Sequence, residues 1–451
     1  MNREGTGFRA IFAHRWAHAI TRTPVLAAVW SLAILHSVIL AVNLPQRAFH
    51  NDFSVFYSQA IAFRAGLDPY TANLMPIGQR LGMRIGSLVH ATDTPTALLF
   101  STPLSFAPPA GAHTIWMILN GAALVAALIM LIRPQYSGLS IRMAVAIGAI
   151  ALLYAPITDN FIFSQRQTLI LLLLVLVMRS LDREREASAG LLLAIAAAYR
   201  AFPILVAGYF IVRRQWRPLF FMSAGLAFIG AITLAGVGIP ICLSYLHGMR
   251  FALTAFTLDP ADVALRGTVI RLFSYVFGPN LSGFLEVFQR ITITFAQVGI
   301  LFLAAWPTYI RRQRKGLDQR AYGLWVAAAI ILSPLSWIHY MLLLLIPFVA
   351  IASAAEQERC SRRAIWTAIA SYALIALTYG LREDMVSAIW WARGVRYLAE
   401  GSSLALLLGF LAAYWFATDT ADSAEHPGLS QTTPSRLSDS SFAASRPSNS
   451  R

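Results

Sequence analysis

The sequence predicts an all-α polytopic integral membrane protein, built as a helical bundle with about 10–13 membrane segments. Of its 451 residues, 57% are hydrophobic and 13% are charged, whereas soluble domains carry roughly 25% charged residues. The mean hydropathy is +0.60. Apolar runs of about the length that lets a helix cross a bilayer recur along the chain, and short clusters of arginine separate them.

The N-terminal residues predict an uncleaved first span. The apolar run 25–42 follows a basic stretch that contains Arg3, Arg9, Arg15 and Arg22. Because no small-residue cleavage site follows the run, we expect it to stay in the protein, with a cleaved signal peptide as the alternative. Residues 1–23 are then a cytoplasmic N-terminus.

The remaining apolar runs and their connectors predict the topology. The runs cover 110–132, 142–158, 167–179, 189–213, 219–238, 292–310, 321–335, 339–354, 364–380 and 403–417. Arginine-rich connectors favour the cytoplasmic side, which leaves 43–95 and 239–291 as the large outer loops of a membrane domain over 24–417. Residues 418–451 are rich in serine, proline, threonine and alanine, and predict a disordered cytoplasmic tail.

One apolar run predicts a hairpin instead of a span. All basic clusters fall on one side only if 189–213 enters and leaves on the same face, and its 25 residues are too few for two spans. Pro203 interrupts this run, because proline removes a backbone donor and disfavours helix in the residue before it. We therefore expect two half-helices with an apex at 199–203. The proline-rich segment 96–107 predicts a second incomplete element.

The composition disfavours several classes of protein. A net charge of +15 in a soluble protein would suggest nucleic-acid binding, but here the arginines lie between apolar runs and orient helices. The two cysteines, Cys242 and Cys360, fall near opposite membrane faces and have no metal-ligand spacing. The sequence has no Walker motif and no dinucleotide-binding fingerprint. We expect no cofactor, no metal and no nucleic-acid partner.

Asp52 is the first candidate for chemistry. It follows the first span by about ten residues and is flanked by aromatic residues. A partly desolvated carboxylate gains basicity, which suits it to take a proton from an acceptor hydroxyl. The alternative is a structural one, since aspartate is also a favoured N-cap residue.

Two arginines are candidates for binding a phosphate. Arg200 lies at the predicted hairpin apex, and Arg166 lies at the predicted outer start of a helix. A guanidinium stays charged and matches a phosphate in a bidentate manner. The alternatives are snorkelling for Arg200 and headgroup contact for Arg166.

His339 and Trp337 lie between two spans on the predicted outer side. The histidine could orient a sugar hydroxyl or a phosphate facing Asp52, or it could be a hydrogen-bonded structural residue. Trp337 suits a wall on which a sugar stacks, and it equally suits an aromatic belt at the interface.

Seven stretches follow one another along residues 51–348. They are Asp52-Phe53 with Tyr57; Gly66-Leu67-Asp68-Pro69-Tyr70; Thr102-Pro103-Leu104 with Trp116 and Asn120; Ser164-Gln165-Arg166-Gln167; Ala189-Gly190-Leu191 leading to Arg200 and Pro203; Arg213-Arg214-Gln215-Trp216-Arg217; and Leu332-Ser333-Pro334-Leu335-Ser336-Trp337-Ile338-His339-Tyr340. In their order and spacing, these stretches resemble the family 87 glycosyltransferases, which include polyprenol-phosphate-mannose-dependent mannosyltransferases.

The resemblance implies a C-type glycosyltransferase fold and a function. The donor would be a polyprenyl-phosphate hexose, with mannose the best-known sugar, and the acceptor a lipid or glycan. The reaction would take place at the plasma (inner) membrane, with the site facing the periplasm or cell exterior. The resemblance implies that Asp52 is the catalytic base, that Arg200 contacts the donor phosphate and that His339 faces the cavity. We also expect Arg166 to bind the donor phosphate, and Trp337, Tyr57 and Gln165 to contact substrate together with His339.

Departures from the family pattern and other classes of membrane protein leave parts of this interpretation open. The usual Gly-Gln with a following Asn is here Ser164-Gln165 with Gln167, so the sugar is not predicted, and neither is the oligomeric state. A lipid-linked sugar flippase or a small-solute transporter is the main alternative, although transporters more often show internal repeats. A structural membrane protein, in which Asp52 and Arg200 are incidental, is the third.

Overall fold

The computed structural model describes residues 22–47, 52–83, 85, 93–314, 316–385 and 400–419. Within these residues every regular element is a helix, and a single isolated bridge pairs Asp262 with Trp337. Of the expected N-terminus (residues 1–23) and the expected tail (residues 418–451), residues 1–21 and 420–451 lie outside the described residues. The last described helix ends at Thr418, where the tail is predicted to begin.

The described residues of the first half of the chain form ten α-helices. They are α1 (Thr23–Arg47), α2 (Asp52–Arg64), α3 (Met75–Arg80), α4 (Pro95–Ser101), α5 (Pro109–Ile132), α6 (Pro134–Ser137), α7 (Ile141–Leu152), α8 (Ala155–Ile162), α9 (Gln167–Asp182) and α10 (Glu186–Tyr199), with a 3-10 turn at Thr102–Phe106 after α4.

The second half begins at a 3-10 turn, Phe202–Val206. Its helices are α11 (Ala207–Val212), α12 (Trp216–Val237), α13 (Ile239–Ala255), α14 (Leu265–Phe277), α15 (Gly283–Ile310), α16 (Gln319–Leu332), α17 (Leu345–Glu356), α18 (Arg362–Met385) and α19 (Gly401–Thr418), with a 3-10 segment at Ile338–Leu344 before α17. The outer loop predicted at 239–291 is therefore mostly helical.

The structure confirms an all-α polytopic membrane protein. Six helical segments of the described residues are long and apolar enough to cross a bilayer, and the pair α7 and α8, bent by 46°, would make a seventh. Three further apolar stretches of the described residues form shorter helices: Glu186–Tyr199, Phe202–Val212 and Gln319–Leu332.

Burial separates the centre of the bundle from its periphery. Almost every residue of α16 and of the 3-10 segment before α17 is buried, as expected for a helix that is apolar on all sides. The spans at α1 and α15 are only 6% and 11% buried. These two helices therefore present their apolar side chains outward, where a bilayer would surround them.

The apolar run 189–213 is interrupted where the sequence predicts. Helix α10 ends at Tyr199, Arg200 has an extended backbone, and Pro203 lies in the 3-10 turn that follows. The predicted element at 96–107 is likewise incomplete, since α4 passes into a 3-10 turn that contains Pro103. The entry and exit of 189–213 on one membrane face stays a prediction.

A buried arginine fixes the segment between α13 and α14. The guanidinium of Arg271 donates to both carboxylate oxygens of Glu400, at 2.6 and 2.8 Å, and is almost fully buried. It also donates to the backbone oxygens of Thr257, Asp259 and Asp262. The bidentate pair satisfies a charge that would otherwise be costly to bury, and it holds residues 257–262 in place.

Helices α10 and α12 approach closely at a glycine, which gives a test of the packing. A Cβ atom at Gly190 would lie 2.1 Å from the backbone oxygen of Pro218 and 2.9 Å from the backbone nitrogen of Met222. We expect Gly190→Ala to destabilise the protein by about 1–3 kcal/mol, because the helices must move apart. Thermal unfolding of the purified protein in detergent measures the effect.

Gly230 on α12 supplies the matched control, since a Cβ atom there meets nothing within 4 Å. Gly230→Ala should leave the unfolding temperature unchanged or raise it slightly, because alanine favours helix. Equal unfolding temperatures for the two variants would contradict the close approach.

Candidate active site

Six of the seven predicted site residues line one cavity of about 530 Å³. They come from four places in the chain: the start of α2, the turn before α9, the break after α10, and the corner between α16 and α17. These residues are Asp52, Gln165, Arg166, Arg200, Trp337 and His339. The fold thus brings together polar groups that are up to 287 positions apart in the sequence.

Asp52 is the first residue of α2 and opens onto the cavity. Although its side chain is exposed to the space of the cavity, protein surrounds that space, and this burial raises the pKa of Asp52 to about 6. The charge of Asp93 raises the pKa further, whereas the hydrogen bond from Gln165 lowers it. A carboxylate with such a pKa is ionised near neutral pH and still basic enough to accept a proton.

Gln165 joins Asp52 to Arg200. Its amide nitrogen donates to Oδ2 of Asp52, and its amide oxygen accepts a hydrogen bond of 3.2 Å from Nη2 of Arg200. Because a carboxylate only accepts and a guanidinium only donates, the amide can face these neighbours in a single orientation. Gln165 therefore holds the acid and the cation at a fixed separation.

An unusual turn sets the position of Gln165. The preceding Ser164 has a φ of +52°, which is uncommon for a residue other than glycine. Trp116 holds this turn by donating from its indole nitrogen to the Ser164 oxygen at 2.8 Å, and the side chains of His113 and Ser164 are hydrogen-bonded at 3.1 Å. Two buried side chains of α5 thus maintain a strained turn beside the cavity.

Arg200 carries a charge that no carboxylate of the described residues balances within ion-pair distance. Its side chain is half-buried, and its guanidinium carbon lies 5.5 Å from the centre of the Tyr340 ring. The break after α10 frees the backbone around it from the regular helix. An anion in the cavity would be attracted to this cation.

Arg166 lines the same cavity, but unlike Arg200 it has a carboxylate partner. It forms an ion pair of 2.6 Å with Asp93, and both side chains are buried. The rings of Phe56 and Tyr199 pack against its guanidinium, with centroids at 4.9 and 5.4 Å. Since Asp93 already compensates its charge, Arg166 has less attraction to offer a phosphate than Arg200 has.

His339 is held by a carboxylate that sequence reasoning did not find. Nδ1 of His339 lies 2.9 Å from Oδ2 of Asp159 on α8, and both side chains are buried. A carboxylate partner fixes the orientation of an imidazole and stabilises its protonated form.

Trp337 is positioned through the backbone of its corner. The Asp262 carboxylate accepts from the backbone nitrogen of Ser336 at 2.9 Å, and the backbone of Asp262 bridges that of Trp337. The Trp337 ring meets the edge of Phe256, with ring centroids 5.6 Å apart. Arg271 donates to the backbone oxygen of Asp262, so the residue that binds the corner is itself held in place.

Tyr57 is not among the residues that line the cavity. Its hydroxyl donates to the backbone oxygen of Ala107 at 2.7 Å, and its ring stacks on Phe53. Five positions after Asp52 on a helix correspond to a rotation of about 140°, which turns Tyr57 away from the side of Asp52. In this structure Tyr57 packs between helices.

The cavity includes polar residues that sequence reasoning missed or ranked low, namely Gln59, Asp93, Asp159, Tyr245 and Asp259. One had a usable signal: Asp159 is an acid at the end of an apolar run, and acids within membrane segments are rare and usually functional. The others lie in stretches without a diagnostic pattern. Within the described residues, no three His, Cys, Asp or Glu side chains are grouped as metal ligands would be.

A sequence profile matches more than half of the chain. It covers residues 92–334, which include Gln165, Arg166 and Arg200, whereas Asp52 and His339 lie outside it. No curated protein sequence matches the chain. The matching profile is that of glycosyltransferase family 87, and the chain belongs to this family of glycosyltransferases.

Proposed function

We propose that the protein transfers a hexose from a polyprenyl-phosphate sugar to a lipid or glycan acceptor. The observation that carries the proposal is the link from Asp52 through Gln165 to Arg200. It sets a basic carboxylate and a cation without an ion-pair partner in one cavity. A transfer reaction needs both, because it removes a proton from one substrate and releases a phosphate from the other.

The proposed step is a direct displacement at the anomeric carbon. The acceptor hydroxyl oxygen forms the new bond to C1, the bond from C1 to the phosphate oxygen breaks, and that oxygen keeps the electron pair. Asp52 accepts the hydroxyl proton. Attack on the side opposite the leaving phosphate inverts the anomeric centre. The enzyme mainly aligns the two substrates, since a phosphate is already a competent leaving group.

Arg200 is the proposed phosphate contact. The departing phosphate gains negative charge as the bond to C1 breaks, and a charged donor that is already in place stabilises that change. A guanidinium suits this role because it stays protonated and can donate two parallel hydrogen bonds. Arg166, paired with Asp93, is proposed to act at longer range.

The membrane supplies the donor in this proposal. The polyprenyl tail would lie among the apolar helices while the sugar and phosphate occupy the cavity, where Trp337 offers a ring for stacking. We propose the plasma (inner) membrane, with the cavity open to the periplasm or cell exterior. Mannose is the first sugar to test.

Transfer by purified protein tests the proposal directly. We expect the wild type to move label from a radiolabelled polyprenyl-phosphate mannose to a lipid or glycan acceptor, and Asp52→Asn to lower kcat by about 10²–10⁴-fold, because the base is lost. Asp182→Asn, at an exposed carboxylate on α9, is the control and should transfer at the wild-type rate.

Equal transfer by wild type and Asp52→Asn would remove the proposed base. Movement of the lipid-linked sugar across the membrane of proteoliposomes, without transfer of the sugar to an acceptor, would support the flippase alternative instead.

The activity should depend on pH through Asp52. Its pKa is raised to about 6, so the carboxyl is protonated and unable to act as a base below that pH. We expect kcat/KM to rise as pH increases through about 6 and to level off above it. Initial rates between pH 4.5 and 8 measure the profile, and a flat profile across pH 6 would contradict the assignment.

Gln165→Glu should disturb both ends of the link. A second carboxylate beside Asp52 raises the pKa of Asp52, which moves the acid limb of the profile upward by about one pH unit. The same carboxylate pairs with Arg200, so the KM for the donor should increase while the KM for the acceptor does not.

The exposed Gln357 lies outside the cavity, and Gln357→Glu is the matched control for an added charge. An unchanged pH profile in Gln165→Glu would show that the amide does not couple the two groups.

A further inference from the structure

The pair formed by Asp159 and His339 lies beside the proposed base and cation but takes no part in the proposed displacement step. The two side chains are 4% exposed for His339 and 2% exposed for Asp159, and 2.9 Å separates Oδ2 from Nδ1. Burying a carboxylate is costly unless a donor or a cation compensates it. Apolar side chains would pack this position at a lower cost in free energy. A buried acid at a cavity therefore suggests a chemical role.

The pair lines the same cavity as the proposed base and cation. The charge of Asp159 acts on Asp52, and the ring of His339 lies 5.2 Å from that of Tyr340. Arg200 packs over the same Tyr340 ring. The charged or titratable groups that share this region are Asp159 on α8, Asp52 on α2, Arg200 after α10, Tyr245 on α13, Tyr340 beside the histidine, and the ion pair of Arg166 with Asp93.

The balance of charge in the cavity argues that His339 is a cation. Among the described residues that line it, the carboxylates are Asp52, Asp93, Asp159 and Asp259, and the arginines are Arg166 and Arg200. With a neutral histidine the acids outnumber the cations by two, which would repel an anionic donor. An imidazolium at His339 compensates Asp159 as Arg166 compensates Asp93.

We propose that Asp159 is a positioning residue that holds His339 as an imidazolium, and that this imidazolium is a second cation beside Arg200 for the phosphate of the donor. The proposal rests on the proposed function and names the partner of Arg200 in it. His339 would contact the phosphate, whereas Asp159 acts only through the histidine.

The surrounding structure suits this role. The backbone of Ser336, three residues before the histidine, is bound by Asp262, so the ring has one anchor through its backbone and one through Nδ1. Because the histidine ring is already fixed, less side-chain entropy is lost when the phosphate binds. Two cations on a phosphate that gains charge would also stabilise its departure.

Binding of a polyprenyl monophosphate, the donor without its sugar, tests the proposal apart from catalysis. The purified protein in detergent is titrated with this lipid, and the dissociation constant is measured from the thermal shift. We expect Asp159→Asn and His339→Gln each to weaken binding about tenfold, as loss of a charge-assisted hydrogen bond does. The double variant should bind no more weakly than His339→Gln alone.

Two further variants separate the roles. Asp52→Asn removes an anion, so it should bind the lipid at least as tightly as the wild type while losing transfer; Asp182→Asn should match the wild type in both. In transfer assays, Asp159→Asn should raise the KM for the donor and lower kcat, with the KM for the acceptor unchanged. A purely structural defect would instead lower the amount of folded protein and leave both KM values unchanged.

Wild-type affinity in Asp159→Asn, or additive losses in the double variant, would overturn the proposal. If Asp159→Asn does not fold, Asp159→Glu keeps the charge: it should bind the lipid more tightly than His339→Gln, and equal binding would be contrary. A wild type that binds the lipid but transfers no sugar would defeat the proposed function, and the binding comparison would still decide the role of Asp159.

Discussion

One polar contact links the two groups to which we assign the chemistry: the side-chain amide of Gln165 lies between Asp52 and Arg200. An acid and a base side chain in direct contact would neutralise each other, and the cation would be lost to a ligand. The intervening amide satisfies one hydrogen bond of each group without cancelling either charge. Burial and the charge of Asp93 raise the pKa of Asp52 to about 6 despite the hydrogen bond from Gln165, and Arg200 stays available to an anion.

Gln165, Arg200 and His339 lie at or next to irregular stretches of backbone, and side chains from neighbouring segments hold those stretches in place. The turn at Ser164 precedes α9, Arg200 lies at the break after α10, and the corner at Ser336 precedes a buried 3-10 segment. Non-helical backbone within a membrane protein must find its hydrogen bonds inside the protein. Trp116 supplies one for the turn and Asp262 supplies one for the corner, so the scaffold and the site share the same contacts.

Sequence reasoning reached the fold class, the break near Pro203 and six of the residues around the cavity, because hydropathy, proline and family motifs are local signals. It did not predict which apolar runs form a single long helix, since an apolar run does not reveal whether it crosses the bilayer or folds back inside the bundle. It missed Asp159, although an acid at the end of an apolar run is a usable signal, and it missed Asp93, whose ion pair with Arg166 joins residues 73 positions apart. Tyr57 is a predicted substrate contact through its place in a family motif, but its hydroxyl donates to the backbone oxygen of Ala107 and it does not line the cavity.

A cryo-EM structure of the protein with a bound polyprenyl monophosphate would test the proposed roles of Arg200 and Gln165. We expect the phosphate to lie within hydrogen-bond distance of the Arg200 guanidinium and near His339, with Gln165 still bonded to Asp52. A phosphate bound outside this cavity, or an Arg200 guanidinium turned away from it toward solvent, would contradict these roles.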